Sequence, residues 1–80
     1  MEREEVLTQL NEIFAEVFKR PGMQLDYAQS ADDIDEWDSL TNMTLISEVE
    51  HRWGFKFKLH DIIKMRNVGD MVDCIVKRAK

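Results

Sequence analysis

Ser39 is the residue of this chain whose setting could do chemistry. It stands in Ile34-Asp35-Glu36-Trp37-Asp38-Ser39-Leu40, where a long polar stretch runs into an apolar pattern of helical period. A serine there has three readings. It can cap the helix, since Ser and Asp are favoured caps. It can be a nucleophile, which requires a base within hydrogen-bond reach. Or its hydroxyl can bear a phosphate-linked group, because free N–H groups and the positive dipole end of a helix N-terminus suit an anion.

The nucleophile reading finds no base. His51 lies on the same predicted helix, about 18 Å from Ser39 at the α-helical rise. His60 follows in a different element, and nothing in the sequence brings it back. Both histidines read as surface or helix-end residues. A metal site is not expected either: Cys74, His51 and His60 lack C-x-x-C or H-x-x-x-H spacing. The acids Asp32, Asp33, Asp35 and Glu36 lack the glycine and terminal glutamate of a calcium loop, and read as a solvated acidic loop. Cys74 falls between core positions of the last helix, as a small buried hydrophobe would.

Four helical elements must position these residues. Val6, Leu10, Ile13, Phe14 and Val17 make a stripe, widened by Leu7 and Phe18, with Pro21-Gly22 as its stop. A second helix runs from near Ser39 to Trp53-Gly54 and buries Leu45, Ile46, Val49 and Trp53. A short turn spans Asp61 to Met65. A closing helix carries Val68, Met71, Val72, Ile75, Val76 and Ala79, with Asn67 and Asp70 as a capping-box variant. Phe55-Lys56-Phe57-Lys58-Leu59 alternates like a strand but has no partner strand, so it reads as an extended connection that pins Phe55, Phe57 and Leu59 into the core. The stretch from Pro21 to Trp37 is long for a helix–helix connection, and Leu25, Tyr27, Ile34 and Trp37 are placed to pack it down. The expected fold is all-α, a four-helix bundle of three longer helices and one short one, with a long first loop.

Composition narrows the function. Eighty residues are expected to form one domain, residues 1–80, with no room for both a packed core and an enclosed catalytic cleft. The formal charge is −5, divided into 11 acids against 3 bases in residues 1–40 and 5 acids against 8 bases in residues 41–80. An acidic domain repels nucleic-acid phosphates and favours basic protein partners. The charged start Met1-Glu2-Arg3-Glu4-Glu5, one cysteine and no apolar run of membrane length give an expected cytoplasmic location.

From Ile34 to Ala79 the chain resembles the acyl carrier protein family, with its peptidyl and D-alanyl carrier relatives. The resemblance rests on Asp38-Ser39-Leu40, then Met43, Leu45, Ile46 and Val49 before Glu50-His51-Arg52-Trp53-Gly54, with the Phe-rich connection, short helix and closing helix in the family's order. It implies that a phosphopantetheinyl transferase moves 4'-phosphopantetheine from coenzyme A onto Ser39. The thiol of that arm would carry an acyl or aminoacyl group as a thioester, as in fatty acid or polyketide biosynthesis, while partner enzymes do the chemistry. The chain would then be a carrier and not an enzyme, a monomer serving a loading ligase or transferase and downstream enzymes. Asp38 and Leu40 would flank the arm and help the transferase recognise the site, and Met43, Thr44 and Glu48 would contribute to partner recognition; Met43 fits the core equally well.

The chain also departs from the family pattern. Glu36 stands where the family often has glycine, Thr44 and Ser47 dilute the acids of the second helix, and Lys56, Lys58, Lys64 and Arg66 form a basic run. These departures point to a specialised carrier with dedicated partners. The run marks either a surface for acidic partner groups or a solvated face that balances nearby acids. Met43, Met65, Met71 and Trp53 either fill the core or line a pocket for cargo. From a different class, an unmodified helical interaction module would use the same loop and helix for docking, with Ser39 as a cap.

Overall fold

The computed structural model describes residues 2–79; Met1 and Lys80, which bound the expected domain, lie outside them. Its elements are α1 (Arg3–Phe18), α2 (Ser39–Trp53), α3 (Leu59–Lys64) and α4 (Val68–Arg78). No strand occurs among the described residues. The protein is all-α, three longer helices and a short one, as the hydrophobic period requires.

The core forms where the apolar stripes meet. Val6, Leu10, Ile13, Phe14 and Phe18 of α1 face Leu45, Ile46 and Val49 of α2 and Val68, Met71, Val72 and Ile75 of α4. Trp53, Val17, Val76 and Ala79 only half-enter it. The expected turn at Asp61–Met65 begins earlier, at Leu59, because the Asp61 carboxylate accepts the Lys58 N–H at 3.1 Å and so starts the helix there.

The stop of α1 differs from expectation. Pro21 disfavours helical backbone at the residue before it, so the turn is made upstream, at Lys19, whose φ of 56° is left-handed. Arg20 N–H donates to the Ala15 carbonyl at 2.9 Å and Lys19 N–H to that of Glu16 at 3.3 Å, which closes the helix end in the manner usually given to glycine. At the end of α2, Gly54 takes that part as expected, with φ 70°.

Loop 19–38 is packed down. Leu25, Ile34 and Trp37 are buried and Tyr27 is half-buried. The Trp37 ring meets Phe14 edge-on at 5.2 Å. The loop also completes α4, since the carbonyls of Gln29 and Tyr27 accept the N–H groups of Val68 and Gly69, each at 2.8 Å. Those N–H groups lie in the first turn of α4 and have no partner within the helix. The approach is close enough that a Cβ on Gly69 would stand 3.1 Å from the Tyr27 carbonyl oxygen.

The extended connection is only partly in the core. Phe57 is buried and Phe55 half-buried, the two rings meeting edge-on at 4.9 Å. Leu59, expected beside them, is 73% exposed. It is the first residue of α3, so the alternation that buries Phe55 and Phe57 ends before it.

Candidate functional site

The N-terminus of α2 is built by hydrogen bonds that leave Ser39 out. Asp38 is the cap. Its Oδ1 accepts the N–H groups of Leu40 at 2.9 Å and Thr41 at 3.0 Å, and its own N–H donates to Thr41 Oγ1 at 2.8 Å. The Thr41 hydroxyl donates in turn to the Glu36 carbonyl at 2.8 Å. This reciprocal pairing is a capping box with threonine in the place usually taken by Glu or Gln. Bonding from the Thr41 backbone chiefly, with the Leu40 N–H adding and desolvation opposing, holds the Asp38 carboxyl below its ordinary pKa. It is therefore anionic at neutral pH.

Ser39 itself takes no part in the cap. Its hydroxyl is not the cap, and it makes no hydrogen bond among the described residues while its side chain is exposed. The Leu40 and Thr41 N–H groups, expected to be free for an anion, are occupied by Asp38.

The approach to Ser39 is tied down by two side-chain contacts. Trp37 Nε1 donates to Asn42 Oδ1 at 3.0 Å, which ties the buried indole to the first turn of α2. Glu36 pairs with Arg20 at 3.2 Å. Ser39 opens on a groove of about 380 Å³ lined by Ala31, Trp37, Asp38, Asn42, Met65 and Arg66. Among the described residues, no histidine, lysine or cysteine lines that groove.

The other sequence candidates are placed elsewhere. His51 and His60 are exposed, and His51 lines a separate groove at the far end of α2 with Glu50 and Lys56. Cys74 is half-buried, and burial, with the Asp61 charge adding, pushes its thiol pKa up, away from a reactive thiolate. No group of three or more His, Cys, Asp or Glu residues suited to a metal occurs among the described residues.

Of the residues expected to recognise partners, Leu40 is 80% exposed and Met43 69% exposed, so Met43 is not core. Thr44 and Glu48 are also exposed. Among the other methionines, Met71 is buried, while Met65 is half-buried and lines the Ser39 groove. Thr41, Asn42 and Arg66 complete this end of the molecule without having been singled out for it. The Asp-x-x-Thr spacing at Asp38 was a legible signal for Thr41; Arg66 had none, because its neighbour in space is 27 positions away in the chain.

The site is thus an exposed serine in the first turn of a capped helix, set beside a shallow groove of a small four-helix bundle. Residues 8–75 match the family model described as "Phosphopantetheine attachment site". An acyl carrier protein of Acidothermus cellulolyticus is 31% identical over 94% of this chain and 89% of its own length. The chain belongs to the phosphopantetheine-attachment family of acyl carrier proteins.

Solved structures agree. The solution structure of a holo acyl carrier protein from Geobacter metallireducens superposes with a TM-score of 0.85 at 42% identity, over 90% of this chain and 83% of that one. A chain from Mycobacterium tuberculosis described as an acyl carrier protein shares the fold, with a TM-score of 0.77 at 22% identity over 95% and 97% of the two chains. The cofactor of this family is phosphopantetheine. The residues here fit such an arm: an exposed, unbonded hydroxyl stands at the mouth of a groove with both apolar and polar walls. No helix among the described residues is long and apolar enough to cross a membrane.

Proposed function

We propose that Ser39 carries the phosphopantetheine arm and that this chain presents an acyl group, held on the arm, to partner enzymes. The observation that carries the reading is the Ser39 hydroxyl itself: exposed, without a hydrogen-bond partner among the described residues, and relieved of capping by Asp38. In the attachment step a transferase removes the hydroxyl proton. The serine oxygen then bonds to the phosphorus next to pantetheine in coenzyme A, the diphosphate bond breaks, and adenosine bisphosphate leaves. When bound, the arm supplies a thiol that holds cargo as a thioester.

The chain's own residues present and orient. Asp38, Thr41 and the Trp37–Asn42 bond shape the first turn of α2 around the attachment point. Leu40 and Met43 expose apolar surface beside it, and Thr44 and Glu48 continue that face with polar groups. Exposed apolar side chains one helical turn apart beside an attachment point suit docking of a transferase and of the enzymes that load and unload cargo. Aminoacyl cargo, and an unmodified docking module, are the competing readings, and both are decided by experiment.

The test is intact mass after incubation with coenzyme A and a broad-specificity phosphopantetheinyl transferase, with Ser39→Ala as control. The expected result is a gain of one phosphopantetheine that the control lacks. No gain with several transferases, on folded protein, overturns the reading in favour of the docking module. Loading assays with acyl and aminoacyl ligases then separate the two kinds of cargo.

A further inference from the structure

Five arginines occur in the chain, and four have an acidic partner. Arg3 pairs with Asp73 at 2.8 Å, Arg20 with Glu36 at 3.2 Å, Arg52 with Glu12 at 3.2 Å, and Arg78 with Asp61 at 2.7 Å. Arg66 alone has no ion pair among the described residues. It is exposed, and among the described residues it is the only positively charged one lining the Ser39 groove.

A phosphodiester on Ser39 would meet an unfavourable field without it. The neighbouring Asp38 carboxylate is held ionised. The Leu40 and Thr41 N–H groups, which would ordinarily receive an anion at a helix N-terminus, already donate to that carboxylate. Asp35 and Glu36 add negative charge just upstream, only Glu36 being paired. A compensating positive charge is available on the same groove, at Arg66. The Arg66 backbone is fixed there, since its N–H donates to Asp70 Oδ2 at 3.0 Å, one residue before the Asn67 cap of α4.

Resting on the Ser39 reading, we infer that the Arg66 guanidinium pairs with the phosphodiester of the arm and directs the arm across the groove toward Met65 and α3. Guanidinium matches phosphate oxygens in bidentate geometry, which a lysine at this position would not reproduce. This assigns Arg66 a role as a binding residue for the arm and separates it from Lys56, Lys58 and Lys64, none of which lines the groove.

The experiment uses the full chain, apo and loaded, as wild type, Arg66→Gln, Arg66→Lys and Lys64→Gln. Intact mass first establishes loading; absence of the mass gain would defeat the Ser39 reading and is thereby distinct from failure of this inference. On loaded protein, the Arg66 Nε–Hε resonance is expected to shift relative to apo, and the shift to shrink at high salt. The phosphorus resonance of the arm should move in Arg66→Gln, move less in Arg66→Lys and stay in place in Lys64→Gln. Loading should also raise the melting temperature of wild type by about 2 °C, a gain missing in Arg66→Gln. An Arg66 resonance unchanged by loading overturns the inference, and that comparison needs no variant to fold. Equal phosphorus shifts in Arg66→Gln and Lys64→Gln also overturn it, since a general charge effect would then account for both.

Discussion

α3 and α4 are neighbours in sequence and opposites in how they are held. α4 buries Val68, Met71, Val72 and Ile75 in the common core and has its first turn completed by the carbonyls of the long loop. α3 buries no residue, and its Leu59 and Ile63 are 73% and 70% exposed. What retains α3 is half-buried Ile62 together with the Asp61 carboxylate, which accepts the Lys58 N–H and pairs with Arg78 near the end of α4. One helix is scaffold, fixed by area removed from water. The other is attached by one polar clasp. The Ser39 groove lies between loop and the α3–α4 junction, so one wall of it is anchored and the other rests on the weaker attachment.

The largest expected effect probes the anchored side. Ile75→Ala deletes a fully buried side chain between α1 and α4 and should destabilise the protein by about 2–5 kcal/mol, read as a lower urea midpoint. A loss below about 1 kcal/mol would mean that α4 is not the scaffold its burial implies.

Asp61→Asn should come next, with a smaller loss of stability and a distinct pH signature. The Arg78 hydrogen bond chiefly, with the Lys58 N–H adding, lowers the Asp61 pKa in the folded state. A lowered carboxyl pKa contributes stability above the unfolded value, about 3.9. That contribution is lost as pH falls through the folded value. Wild type should therefore weaken on acidification below about pH 4, and Asp61→Asn should weaken less steeply, Asp38 supplying the remaining dependence. Hydrogen exchange should show α3 amides of this variant losing protection while those of α4 keep theirs. Equal loss in both helices would erase the distinction between them.

Gly69→Ala sharpens it on the α4 side. At an ordinary helix position this change stabilises by about 1 kcal/mol. Here the added methyl meets the Tyr27 carbonyl at 3.1 Å, so the gain should be absent and the loop displaced, seen as shifted Tyr27–Gln29 amide resonances. The smallest effect belongs to Leu59→Ser and Ile63→Ser, each within about 0.5 kcal/mol in chemical denaturation, as for other exposed positions. A larger loss at either would show that α3 is packed after all.

Much of the fold was legible because helices announce themselves locally. The stripes of α1, α2 and α4, the Gly54 stop and the Asn67 cap each follow from residues within a few turns of one another. Asn67 Oδ1 does accept the Asp70 N–H, at 2.8 Å, although the Asp70 carboxylate reaches Arg66 instead of closing the box on Asn67. Less of the site was legible. Met43 had two readings because one face of a helix turn looks like another until a neighbour covers it, and Leu59 was placed in the core because alternation does not show where a helix takes over.

The sequence by itself determined that this is a small helical bundle with an acidic loop feeding a serine into a helix, since period, capping residues and charge are properties of short segments. Only the tertiary structure decided that Asp38 and Thr41 close that helix and leave Ser39 free. It also decided that α3 rides on the Asp61–Arg78 pair, and that Arg66 lines the same groove as the serine. Those outcomes depend on which segments come together in space, and it is the packing of loop, α2 and α4 around a shared core that brings them together.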